Sequence, residues 1–182
     1  NLLKKKFLLA EADLAQLQGD HNKCFVNYEK FLQLELRADE ILNYSLKAAE
    51  CARKSGHYQK ALAYLEQLGI NSGDFVFDNS QQGVRDLQLD GLFEKMNVHN
   101  QLQEYDQSLA IYNKIKDNVN ELKLSTNSAF TLVKALIGAH KPDEASKIWK
   151  EFSDGRKELP EEFVKLYSQY IELMGQAELL SL

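Results

Sequence analysis

Between Ala48 and Leu68 the chain reads AAECARKSGHYQKALAYLEQL: one apolar-periodic run, a break at Ser55-Gly56, and a second apolar-periodic run. The pattern predicts a helix, a tight turn and a second helix folded back on the first. Ala48, Ala49, Ala52 and Ala61 fall where two antiparallel helices approach closely, while Tyr58, Leu62, Leu65 and Leu68 supply bulk. A hairpin of this size cannot bury its own apolar face, so it is expected as one of several stacked copies.

The second helix of that hairpin finds the other copies. Segments beginning at His21, Tyr58, Tyr105 and Pro142 line up without gaps. One column holds only small residues, Cys24, Ala61, Ser108 and Ala145. Four positions later stands a large residue in every copy (Tyr28, Leu65, Tyr112, Trp149), and three after that another (Phe31, Leu68, Ile115, Phe152). The copies recur 37, 47 and 37 residues apart, two equal periods and one with ten extra residues.

This pattern resembles the tetratricopeptide repeat, a helix-turn-helix unit of about 34 residues with small residues at fixed places in both helices. Ala12, Ala15, Cys24 and Tyr28 match the family's small, small, small and aromatic positions, and Ala49, Ala52, Ala61 and Leu65 do so again. The third and fourth copies place Met96 and His99, then Val133 and Leu136, at the two small positions of the first helix. The last copy is also similar to a pentatricopeptide repeat, because Ser128 to Glu162 spans 35 residues and ends in Leu159-Pro160-Glu161. The resemblance implies an all-α chain: one domain over residues 1–182, built as a right-handed α-α superhelix, or solenoid. Its repeats would cover 2–36, 39–69, 84–118 and 125–155, with an end helix at 160–175 capping the row.

In chain order, the first helix is expected from Leu2 to Gln18 with Leu3, Phe7, Leu8, Leu14 and Leu17 on its apolar side. Asp20 is placed to cap the second helix, which carries Cys24 to Leu34. Asp39 is a candidate cap for the third, which ends at Ser55-Gly56; the fourth ends at Leu68-Gly69. The stretch 69–83 departs from helical composition, with turn formers around Phe75-Val76-Phe77. It reads either as a connection whose Phe75 and Phe77 plug a gap between repeats or as a binding loop. Further helices are expected over Val84–Leu102, Tyr105–Asn118 and about Ser125–Ala139, the last capped by Ser125, Thr126 or Asn127. Pro142 sits in the first turn of the next, where its missing N–H costs nothing. Pro160-Glu161-Glu162 opens the end helix, whose Phe163, Leu166, Tyr167, Tyr170, Ile171 and Met174 form one apolar face.

Composition adds bounds rather than identity. With 182 residues, 44% apolar and 27% charged, the chain suits one globular domain. A net charge of −5 argues against a nucleic-acid surface, which ordinarily needs a basic face. Cys24 and Cys51, on different predicted helices, read as small buried residues in a reducing compartment, with a disulfide between them as the less favoured alternative, and the chain as intracellular, cytoplasmic or nuclear. No apolar run approaches the ~20 residues that span a bilayer. The sequence starts within helical pattern and reads as an excerpt of a longer protein.

Catalytic patterns are missing: no glycine-rich phosphate loop, Gly-x-Ser-x-Gly, His-Glu-x-x-His or Cys-x-x-Cys occurs. His21, His57 and His140 lie in or beside predicted turns, and with His99 they form no metal-ligand spacing. Neither a cofactor nor a metal is expected. If the tetratricopeptide register holds, the resemblance implies an inner wall formed by the first helix of each pair. Its polar positions would be Lys6, Asp13, Asn43, Glu50, Arg53, Asn97, Asn100, Asn127 and Lys134. Such a wall suits an extended peptide or a partner helix, bound by directional hydrogen bonds. A clamp for a chaperone's terminal carboxylate is excluded, because Leu9 and Asp13 occupy its positions. The expected role is a non-catalytic protein–protein interaction scaffold within a larger complex. The alternative is a pentatricopeptide-type binder of single-stranded RNA, against which stand the acidic balance and Phe130 at the base-reading position.

Overall fold

The computed structural model describes residues 2–70, 77, 82–119 and 122–154, together with 161, 164, 165, 168, 169, 171 and 172. Eight helices lie among them: α1 (Leu2–Leu17), α2 (His21–Leu32), α3 (Ala38–Lys54), α4 (Tyr58–Glu66), α5 (Gln82–Gln101), α6 (Tyr105–Asn118), α7 (Thr126–Gly138) and α8 (Pro142–Ser153). Among the described residues there is no strand, and the all-α expectation holds. The chain divides into two compact units, Asn1–Val98 and His99–Leu182, with α5 running across the division.

The tight turns inside the hairpins have one hydrogen-bond frame, repeated four times. In each, an N–H just past the first helix reaches back five residues to a helical carbonyl: Asp20 to Ala15, His57 to Ala52, Glu104 to His99 and Lys141 to Leu136, at 2.8–2.9 Å. The residue before each donor has positive φ and bonds three residues back, from Gly19, Gly56, Gln103 and His140. This closure satisfies carbonyls that a helix end leaves orphaned. The next residue caps the following helix in the same conformation each time, with ψ of 76°, 60°, 59° and 66° at Asp20, His57, Glu104 and Lys141. From that cap the carbonyl accepts the N–H of Cys24, Ala61, Ser108 and Ala145 in turn. The column of small residues found in the sequence is therefore the first turn after each cap.

That placement explains the column's chemistry. Cys24, Ala61, Ser108 and Ala145 are all buried, as are Phe31, Leu68, Ile115 and Phe152 seven residues on. Of the large residues four positions on, Tyr28 and Leu65 are fully buried, whereas Tyr112 and Trp149 are half-buried. In the first unit, α2 packs on α1 and on α3, and α3 on α4. Lys5–Glu40 (3.4 Å) and Lys47–Asp13 (3.6 Å) tie α1 to α3 side by side. Glu29 of α2 meets both Lys60 and Tyr64 of α4, and the Phe25 ring lies tilted against His57 and edge-on to Tyr64. First helices thus neighbour first helices, and second helices neighbour second helices. In the second unit α7 packs on α6 and α8, and the Tyr105 ring covers Gly138 so closely that a Cβ has no room.

Several expectations are corrected. Cys24 and Cys51, expected as separate thiols, are joined in a disulfide; their Cα atoms stand 5.9 Å apart because α2 and α3 pack at a small-residue crossing. Of the five residues expected on the apolar side of α1, only Leu8 is buried, with Ala12 and Ala15; Leu3, Phe7, Leu14 and Leu17 are exposed. The cap of α3 is Arg37 rather than Asp39, because the Glu40 carboxylate accepts the Arg37 N–H at 2.9 Å and starts the helix there. The caps expected at Asp20 and Ser125 are present, each accepting an N–H three residues on. Of the 69–83 stretch, Ile70 and Phe77 are buried, while Phe75 lies outside the described residues. Phe163, Leu166, Tyr167, Tyr170 and Met174 of the end helix also lie outside them; Ile171 is helical and exposed.

Candidate functional site

On the first unit, α3 and α5 bring charged groups together. The last two turns of α3 carry Glu50 and Arg53, and the middle of α5 carries Asp90, Glu94 and Asn97. Arg53 Nε donates to Glu94 Oε1 at 2.5 Å, with both side chains largely buried. Asn97 Nδ2 donates to the other Glu94 oxygen at 3.2 Å. The fold places α5 here because Gly91 faces Leu65, Leu68 and Ile70, and Gln88 and Lys95 donate to the carbonyls of Leu68 and Ile70. A helix held by its own polar side chains against the end of α4 has its next turn fixed as well. Glu94 is thereby aimed at α3.

Glu50 is half-buried and forms no hydrogen bond among the described residues. Burial raises its carboxyl above the usual carboxylate range, and the Glu94 carboxylate adds to the effect, against smaller opposition from Lys54 and Arg53. The folded chain therefore holds the Glu50 proton to higher pH than the unfolded chain does. Its contribution to stability is present at acid pH and is lost as pH rises through the folded-state value. Asp90 is shifted upward too, by burial and then by Asp86. The cluster is short of positive charge.

The remaining sequence-predicted positions separate into groups. Asp13 accepts from the Tyr28 hydroxyl at 2.6 Å and faces Lys47; burial, then this bond, raises the Tyr28 hydroxyl. Asn43 is exposed and donates to its own helix, at the Asp39 carbonyl. Lys6 is exposed on α1. In the second unit Asn100 is buried and donates to the Thr131 carbonyl at 2.9 Å, leaving its Oδ1 without a partner among the described residues. Asn127 is exposed, and its carbonyl accepts from Thr131 Oγ1; Lys134 is half-buried on α7. Glu50, Arg53 and Asn97 are the members brought together, and Glu94 is the residue that joins them. Sequence reasoning missed Glu94, one carboxylate among several on α5 with no spacing of its own to mark it.

Among the described residues, no three His, Cys, Asp or Glu side chains are grouped so as to hold a metal ion. His99 instead pairs with Glu104 at 2.7 Å inside the third turn. No helix among them is long and apolar enough to cross a membrane. No protein-family model, curated protein or solved structure matches the chain.

Proposed function

We propose that the chain is a non-catalytic interaction scaffold: a right-handed row of four helix-turn-helix repeats that binds an extended peptide or a partner helix along its first helices. The fourfold turn frame, at spacings of 37, 47 and 37 residues, supports the row. The half-buried Glu50 carboxylate, without a hydrogen-bond partner among the described residues, carries the binding reading. A half-buried carboxylate crowded by the Glu94 carboxylate is compensated by an arriving cation. Arg53 is already committed to Glu94, so the wall at this point selects a basic or amide-bearing group rather than an acidic one. The same sign disfavours the phosphate backbone of RNA.

The test is a panel of extended peptides, basic, neutral and acidic, presented to the chain and to Glu50→Gln. Retention of basic peptides that is lost in Glu50→Gln, with slower hydrogen exchange in α3 and α5, supports the proposal. Equal retention by both proteins, or a salt-dependent preference for single-stranded RNA, overturns it.

A further inference from the structure

The outer face of α1 carries an apolar stripe that nothing in the described part of the first unit covers. Leu3, Phe7, Ala10, Leu14 and Leu17 recur at intervals of four and three residues, so they form one line along the helix. Leu3 is 84% exposed, Phe7 65%, Leu14 45% and Leu17 87%, while the buried face of Leu8, Ala12 and Ala15 points the opposite way. Apolar residues scattered singly on a surface mean little; a contiguous line of them on one helix marks an interaction surface.

The internal repeat says what fits there. Moving 37 residues along the chain takes Leu8, Ala12 and Ala15 onto Ser45, Ala49 and Ala52, and takes Phe7 and Leu14 onto Tyr44 and Cys51. On α3 both faces are covered. Ser45 bonds Gln67 at the end of α4, while the Tyr44 ring lies against Phe31 and Tyr28 of α2, and Cys51 is bonded to Cys24 of α2. The face of α3 that α2 occupies is therefore the face that α1 presents to solvent. On α1 it is also more apolar, since Leu3, Ala10 and Leu17 stand where α3 has Glu40, Lys47 and Lys54.

We infer that the outer face of α1 docks an amphipathic helix of the α2 type. That helix presents a small residue to Leu14 and, four and seven positions on, two large apolar or aromatic residues to Phe7, as Cys24, Tyr28 and Phe31 do for Cys51 and Tyr44. It continues the α2–α3 interface by one more helix. Exposed Lys4 and Lys6 beside the stripe favour acidic residues along its flank. This surface does not involve Glu50, and the inference does not rest on the peptide-binding reading.

The probe is a synthetic peptide with the sequence of residues 20–34 carrying Cys24→Ala, titrated against the 182-residue chain by fluorescence anisotropy. Phe7→Glu with Leu14→Glu serves as the variant; both positions are solvent-exposed, and far-ultraviolet circular dichroism checks that its helices persist. Saturable binding that the double variant weakens by about tenfold or more, with slower hydrogen exchange along α1, is expected. Three results overturn the inference: no binding, or binding equal in the variant; light scattering that shows the chain pairing with a second copy through the stripe; or attachment to anionic lipid vesicles in place of the peptide.

Discussion

The two ends of the molecule make the same turn from different residues. Between α1 and α2, and between α3 and α4, the residue of positive φ is glycine, at Gly19 and Gly56. Between α5 and α6, and between α7 and α8, it is Gln103 at φ 61° and His140 at φ 56°. Yet the carbonyl five residues back, the cap conformation and the following small residue are common to all four turns. The frame is set by helix-end carbonyls that must be satisfied and by the close approach after the cap. Glycine makes the frame cheap but does not define it.

The largest difference between the ends is covalent. The disulfide closes a loop with a sequence separation of 27 residues in the first unit, and among the described residues the second has no counterpart. Cys24→Ala with Cys51→Ala is expected to cost about 3–4 kcal/mol by loss of loop-closure constraint in the unfolded chain. Urea titration read by circular dichroism checks this. An unchanged midpoint would show that packing of α2 on α3, not the bond, holds the first unit. The expectation of a reducing compartment rested on these cysteines standing apart, and with them joined that argument no longer stands.

A second contrast concerns how closely the helices approach. In the first unit the small column admits contact at Ala61; in the second, the tight approach falls on Gly138 beneath the Tyr105 ring. Ala61→Leu and Gly138→Ala are each expected to destabilise by ~1–3 kcal/mol through overpacking, since Ala61 is fully buried and a Cβ on Gly138 would run into the Tyr105 ring. Thermal unfolding of both variants tests whether the two crossings are equally tight. An unchanged midpoint in Ala61→Leu would break the equivalence of the columns.

These contrasts also mark where the sequence was readable. The second helices were legible because the small, large and large residues at Cys24, Tyr28 and Phe31, and their counterparts, recur at one spacing that a helix crossing demands. The first helices were less so. Met96, His99, Val133 and Leu136 stand where the first two copies have alanines, and the close contacts moved to Gly91 and Gly138, outside the column searched. On α1 the periodicity contains two apolar stripes, and nothing in a one-dimensional pattern says which of them a neighbour covers. The disulfide escaped because pairing depends on the crossing of α2 with α3, not on spacing. Glu50, Arg53 and Asn97, picked by register, are grouped once α5 lies against α3. Glu94 was missed because a carboxylate on an acidic helix looks like any solvated one until α5 is docked.

The glycines of the first two turns spare the frame a left-handed penalty that an L-residue would carry. Gly56 has φ 83°, and a Cβ added there would meet nothing within 4 Å, so an alanine makes no clash and reports backbone strain alone. Gly56→Ala is expected to cost ~1–2 kcal/mol, the left-handed penalty of an L-residue. A neutral result would mean that the frame relaxes to another turn, visible as lost protection of the His57 amide in hydrogen exchange.

The smallest effect runs in the opposite direction. Gln103 and His140 already carry that left-handed penalty, and a glycine at either position relieves it while adding freedom to the unfolded chain. The two contributions oppose each other, so Gln103→Gly and His140→Gly should each stabilise by only ~0.5–1 kcal/mol. His140 is the cleaner site, being exposed and outside the His99–Glu104 pair that borders Gln103. Calorimetry on His140→Gly should show a modest rise in melting temperature, and combining it with Gln103→Gly should add the two increments because the turns share no partners. A fall in stability would mean that the His140 side chain contributes more to the turn than its backbone strain removes, and that the second unit's turns are held by contacts glycine cannot make.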